Sequence, residues 1–68
     1  MNKIAFTLNT RKSNKQFAGA TYRQIECLKC FSNVEINTTV SQILERISYS
    51  DMEDALYLAS KGIKVVIE

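Results

Sequence analysis

The chain has 68 residues, of which 46% are hydrophobic and 24% are charged, and its formal net charge is +2. This length holds one domain, residues 1–68, with one small core, which excludes a two-domain enzyme or a cofactor-binding Rossmann unit. There is no histidine. That absence excludes Ser-His-Asp and Cys-His catalytic pairs, histidine metal ligands and a histidine pH switch.

The predicted elements begin with a strand over residues 3–9. Ile4, Phe6 and Leu8 recur at every second position, the pattern of a strand with one buried face. Residues 9–16 are polar, basic and rich in turn formers, so we expect a loop. Residues 17–20 are ambiguous, because they could pair with the first strand as the second half of a hairpin.

Three Ser/Thr-x-x-Glu/Gln motifs predict three helix starts. In such a capping box the hydroxyl accepts a hydrogen bond from a free backbone N–H, and the later side chain reaches back to the cap residue. The predicted helices span about residues 22–32, 40–48 and 51–61, and each carries apolar residues at helical spacing. The boxes are Thr21–Gln24, Thr39–Gln42 and Ser50–Glu53. The predicted core face consists of Tyr22, Ile25, Leu28 and Phe31 in the first helix, Val40, Ile43, Leu44 and Ile47 in the second, and Met52, Ala55, Leu56 and Ala59 in the third.

Gly62 follows the third helix at the position where a left-handed residue commonly ends a helix. Residues 63–67 then form an apolar run that predicts a C-terminal strand, and residues 34–37 could add a further short one. We therefore expect an α+β domain whose three helices pack on one face of a small sheet. An exposed C-terminal strand would provide an edge for a homodimer; a monomer is the alternative.

Cys27-Leu28-Lys29-Cys30 is a C-x-x-C motif. It supplies only two of the four ligands of a structural zinc site, unless a homodimer completes the set, and it lacks the strand-to-helix setting of a thioredoxin-like redox site. We expect both cysteines to fill core space on the first helix. The competing interpretation is a zinc-ribbon hairpin over residues 22–37, but the Thr21–Gln24 box favours a helix.

The small net charge hides an uneven distribution. Residues 1–34 hold six basic residues and one acidic residue, a net +5, whereas residues 35–68 hold three basic and six acidic residues, a net −3. A basic segment beside aromatic side chains suits single-stranded nucleic acid, and it would equally meet an acidic protein or simply be solvated. The candidate binding residues of this segment are Arg11, Lys12, Lys15 and Arg23.

The second and third helices have the spacing of a helix-turn-helix. The second helix of that motif presents its first residues to DNA. Here those residues are Asp51, Glu53 and Asp54, which phosphate would repel, so we exclude DNA reading by this helix. Tyr49, Tyr57 and Leu58 lie away from the predicted core faces and form a candidate protein-contact patch, unless the buried stripe is wide.

No phosphate loop, nucleophile elbow or zinc-protease motif occurs, and we expect no enzymatic activity and no cofactor. The longest apolar runs are far below the roughly 18 residues of a membrane span, and no secretory signal is evident, so we expect a cytoplasmic protein. The preferred function is a small protein-binding regulator or inhibitor, of the compact, proline-free kind that phages and mobile elements often encode. A small nucleic-acid-binding protein that uses residues 11–23 is the alternative.

Overall fold

The computed structural model describes residues 5–11 and 16–68, so the predictions made for Ile4, Lys12 and Lys15 lie outside the described residues. The α+β prediction is confirmed. In chain order the elements are β1 (Ala5–Leu8), α1 (Tyr22–Lys29), β2 (Val34–Ile36), α2 (Val40–Arg46), α3 (Tyr49–Ser60) and β3 (Lys64–Ile67).

The three strands form one parallel sheet in the order β1-β3-β2. The C-terminal strand β3 is therefore the centre of the sheet and does not provide the exposed edge that a strand-paired homodimer would use. The order of the strands in the sheet differs from their order along the chain. In the sequence α1 lies between β1 and β2, and both α2 and α3 lie between β2 and β3.

The register explains why the helices cover only one face of the sheet. Leu8, Ile67 and Ile36 form one row across the three strands, and their side chains belong to the core that the helices complete. The next row, Thr7 with Val66, has the opposite orientation because successive side chains of a strand alternate. The predicted two-layer packing is confirmed. The fully buried large side chains are Ile25, Leu28, Ile43, Met52, Val65 and Ile67.

Helix α1 begins as predicted and ends early. Thr21 and Gln24 form the complete capping box, with hydrogen bonds in both directions. The helix stops at Lys29 rather than near residue 32, because the Cys30 N–H turns back to the carbonyl of Cys27 at 3.1 Å. The placement of Tyr22 on the core face is wrong, since this side chain is 63% exposed.

Helices α2 and α3 meet at a sharp corner. Ile47 is extended and ends α2 two residues before the predicted boundary, yet its side chain stays buried. The cap of α3 is Ser48, whose hydroxyl accepts from the Asp51 N–H at 3.1 Å, so the predicted cap at Ser50 is wrong. The Tyr49 N–H donates to the carbonyl of Ala18 at 2.7 Å and fixes the helix start at this point.

The segment before α1 does not pair with β1 in a hairpin. Gly19 instead forms an isolated antiparallel bridge with Ser48, and Ala20 N–H donates to the carbonyl of Ile47 at 2.9 Å. A Cβ on Gly19 would lie 2.9 Å from the carbonyl oxygen of Leu44, so only glycine lets the segment approach α2 this closely.

The entry into β3 is fixed from two sides. Gly62 has the predicted left-handed conformation, with φ of 85°. The Asn33 amide donates to the carbonyls of Ala59 at 3.0 Å and Ile63 at 2.8 Å, which ties the start of β2 to the end of α3. Among the residues that the structure describes, no helix has the length and apolar character needed to cross a bilayer.

Candidate interaction surface

All the large apolar side chains that stand exposed in the described chain are tyrosines. Tyr22 is 63% exposed, Tyr49 is 45% exposed and Tyr57 is 61% exposed. Tyr22 is the first residue of α1, and the other two lie two turns apart on α3, the helix against which α1 packs. We call these three residues the tyrosine surface.

The starts of α1 and α3 are held together by Gln24. This glutamine is 5% exposed, and its amide nitrogen donates to the carbonyl of Tyr49 at 3.1 Å and to the carboxylate of Glu53 at 3.0 Å. Its amide oxygen accepts from the Thr21 N–H at 2.9 Å. One buried side chain therefore caps the helix that begins with Tyr22 and anchors the helix that begins with Tyr49.

The exposed stripe of α3 continues from Tyr49 through Glu53 and Tyr57, which are four residues apart and so lie along one side of the helix. The Lys61 ammonium extends the stripe, at 5.3 Å from the centre of the Tyr57 ring. Leu58 does not belong here. It is half-buried and packs against the core, so its assignment to an exposed patch is wrong and the wide buried stripe is the correct alternative.

The charges at this end of the molecule differ between the two helices. Arg23 lies on α1 next to Tyr22, and Arg11 follows β1; within residues 5–11 and 16–68 neither side chain has an ion-pair partner. The exposed acidic residues of the first turns of α3 are Asp51, Glu53 and Asp54. Tyr22 thus lies at a basic helix start and Tyr49 at an acidic one.

The sequence's basic and acidic halves do not form separate lobes. α1, from the basic half, packs on α3, from the acidic half, and β3 lies between the other two strands. Lys64 of β3 pairs with Glu35 of β2 at 3.2 Å, and Lys29 pairs with Glu26 on α1 at 3.7 Å.

Both cysteines are exposed, so the expectation that they fill core space is wrong. They lie on the outer side of α1, and the Cys30 thiol donates a weak hydrogen bond to the carbonyl of Glu26 at 3.5 Å. The described residues contain no group of three or more His, Cys, Asp or Glu side chains that could hold a metal ion.

A shallow, open groove lies at the starts of β2 and β3. Its ionic groups satisfy each other. The Asn37 amide and the Lys64 ammonium bind the Glu35 carboxylate, and they hold the pKa of this carboxyl below its ordinary value of 4.5. The Asn33 amide nitrogen donates to two backbone carbonyls. The contact between Glu35 and Lys64 therefore links β2 to β3 at this groove.

Comparisons with protein-family models, with curated proteins and with solved structures found no match to this chain. The surface therefore has to be interpreted from its own geometry. Sequence reasoning identified Tyr49 and Tyr57 but assigned Tyr22 to the core. Tyr22 is the first residue of α1, and it is Gln24, not Tyr22, that lies buried with Ile25 and Leu28.

Proposed function

We propose that this chain is a non-enzymatic protein-binding module, a small cytoplasmic regulator or inhibitor that docks on a larger protein through the tyrosine surface. The observation that supports this function is the placement of Tyr22, Tyr49 and Tyr57 on two helices that pack against each other. Tyrosine is enriched at the centres of protein interfaces, because its ring buries a large area and its hydroxyl forms a hydrogen bond.

The backbone under this surface is fixed before any partner binds. Gln24 joins the two helix starts, and the bridge between Gly19 and Ser48 supports them from the adjoining segment. A side chain with two rotatable bonds on a fixed helix loses little conformational freedom on binding. Most of the free energy gained by burying the tyrosine rings therefore contributes to the affinity for the partner.

The charges around the tyrosines favour one orientation of the partner. Arg23 at the start of α1 favours an acidic group on the partner, whereas Asp51 and Asp54 on α3 favour a basic group. Rim charges of this kind act mainly on the association rate and on the choice of partner. We therefore expect the association rate to fall with added salt, while the dissociation rate depends on the tyrosines.

The test is affinity capture from the native host with quantitative mass spectrometry. We compare the unchanged chain with Tyr22→Ser/Tyr49→Ser/Tyr57→Ser and with the matched control Tyr22→Phe/Tyr49→Phe/Tyr57→Phe. The expected result is one enriched protein that the unchanged chain and the phenylalanine control retain and the serine variant loses. All three chains are first shown to unfold at similar temperatures. Retention of that protein by the serine variant, or enrichment of none, would overturn the proposal.

A second candidate function is binding of single-stranded nucleic acid. It is favoured by Arg11 and Arg23, whose guanidinium groups have no ion-pair partner in the described segments, and by Tyr22 beside Arg23. Fluorescence anisotropy with a mixed-sequence oligonucleotide tests it. Binding that falls steeply with salt and is abolished by Arg11→Glu/Arg23→Glu would support this function. No detectable binding at low salt excludes it.

A further inference from the structure

We propose that Cys27 and Cys30 form a reversible dithiol–disulfide couple, a modification site on the outer side of α1. The proposal is independent of the protein-binding function. Both thiols are exposed and free, so each is accessible to a small-molecule oxidant.

The end of α1 aligns the two side chains. The Cys30 N–H donates to the carbonyl of Cys27 at 3.1 Å, and the Phe31 N–H donates to the carbonyl of Leu28 at 3.1 Å. These bonds span three residues and so have the pattern of a 3₁₀ turn. In such a turn the side chains of residues three apart lie one above the other, more closely aligned than in an α-helix.

The distance between the two residues fits a disulfide. Cα atoms three residues apart are about 5 Å apart in an α-helix and about 6 Å apart in a 3₁₀ turn, and disulfides typically join Cα atoms separated by roughly 4.4–6.8 Å. Leu28, between the two cysteines, points the other way and is fully buried, so a bond on the outer side leaves the core contact unchanged. Only the weak hydrogen bond from the Cys30 thiol to Glu26 has to break.

The oxidant is a small-molecule disulfide. The thiol of one cysteine loses its proton, and the resulting thiolate attacks one sulfur of the small disulfide. An S–S bond forms to the protein and one small thiolate leaves. The second protein thiol then loses its proton and attacks the protein sulfur of the mixed disulfide, which releases a second small thiolate. In total two protein thiols are oxidised to one disulfide and one small disulfide is reduced to two thiols, each leaving thiolate taking up one proton.

The experiment treats the full chain with oxidised glutathione and follows its intact mass. We expect a monomer that loses the mass of two hydrogen atoms, has no free thiol and recovers its original mass with a reducing agent. The single variants Cys27→Ser and Cys30→Ser should each hold a stable glutathione adduct, because no second thiol is present to resolve it.

The matched control is Cys30→Ser/Lys29→Cys, which keeps two thiols but moves one of them about 100° around the helix. We expect this variant to accumulate glutathione adducts where the unchanged chain forms the internal bond. Stable adducts or intermolecular dimers as the main products of the unchanged chain would overturn the proposal. An internal disulfide formed equally fast in the control would also overturn the proposal, because the spacing of the two thiols on the helix would then have no effect on the reaction.

Discussion

Gln24 connects three backbone and side-chain groups that belong to different parts of the chain. It binds Thr21 within its own turn, and Tyr49 and Glu53 at 25 and 29 residues along the sequence. A buried acceptor or donor that loses its partner keeps its full desolvation cost. The packing of α1 on α3 near the tyrosine surface therefore depends on this one amide.

We expect Gln24→Ala to lower the free energy of unfolding by about 1–3 kcal/mol, since it removes a buried side chain that hydrogen-bonds to Thr21, Tyr49 and Glu53. Urea denaturation measures the change. The matched control is Gln42→Ala, the same position of α2, where the side chain is exposed and the effect should stay within about 0.5 kcal/mol. Equal losses from both variants would show that the amide contacts of Gln24 contribute nothing.

The Glu35 carboxylate gives a pH-dependent prediction. Its pKa lies below 4.5, first because the Asn37 amide donates to it at 2.9 Å and then because Lys64 lies beside it. A carboxyl whose pKa is lowered on folding stabilises the fold above its unfolded pKa, and this contribution is lost as the pH falls through the folded value. We expect Asn37→Ala to raise the pKa of Glu35 towards 4.5, as NMR titration of the side-chain carboxyl would show; an unchanged pKa would contradict this assignment.

For individual residues, the sequence predicts contacts within one helical turn and misses contacts between residues that are far apart in the chain. The Thr21–Gln24 box was predicted correctly, because both partners lie within one turn. The second role of Gln24 has no local signal, since its partners become neighbours only when α3 packs on α1. The exposure of Cys27 and Cys30 was mispredicted for the same reason: their apolar neighbours suggested a core position, whereas the contact with α3 turns the opposite side of α1 inward.

Among the elements, the order of the strands decides which side chains matter most. Ile67 lies in the central strand and is fully buried, whereas Ile63 lies just before it and is only half-buried. We expect Ile67→Val to lower the free energy of unfolding by about 0.5–1.5 kcal/mol, the usual cost of removing one buried methyl group. The matched variant Ile63→Val should cost clearly less in the same denaturation experiment. The reverse order would contradict the central position of β3.

The number and type of the elements could be predicted from periodicity, but their ends and their neighbours could not. The Ser/Thr-x-x-Glu/Gln motif selects Ser50, which is followed by Glu53, whereas the observed cap is Ser48, which is followed by Asp51, so the choice of cap depends on a distant contact. The hydrogen bond from Tyr49 to Ala18 makes that choice. Likewise, alternation indicates a strand with one buried face but contains no information on parallel pairing or on which strand is central.

Across the whole molecule, we expect stability to be uneven. β3 pairs with both neighbouring strands, and its Val65 N–H donates to the Asn33 carbonyl at 2.9 Å, while the N–H of Glu68, just after β3, donates to the Leu8 carbonyl at 2.8 Å. Helix α2 is short, and Ile43 is its one buried residue. In native-state hydrogen exchange, the β3 amides should open only with global unfolding, whereas α2 amides should open locally at lower free energy. Equal protection of both elements would contradict this expectation.

The basic and acidic halves of the chain do not form separate lobes, because α1 packs on α3 and β3 lies between the other two strands. The candidate surface accordingly differs from the one that the sequence predicts. The candidate surface keeps Tyr49 and Tyr57 and includes Tyr22, but it excludes Leu58, because this side chain packs against the core. The basic segment contributes Arg23 at the border of that surface.

The central position of β3 also affects how the chain folds as it is made. A ribosome synthesises β1 and β2 before β3, and these two strands do not pair with each other in the finished sheet. Until β3 emerges, each presents unpaired backbone groups beside apolar side chains, a state that favours aggregation or chaperone binding. The sheet therefore cannot form until β3, the last strand to be made, is free to pair with both of its neighbours.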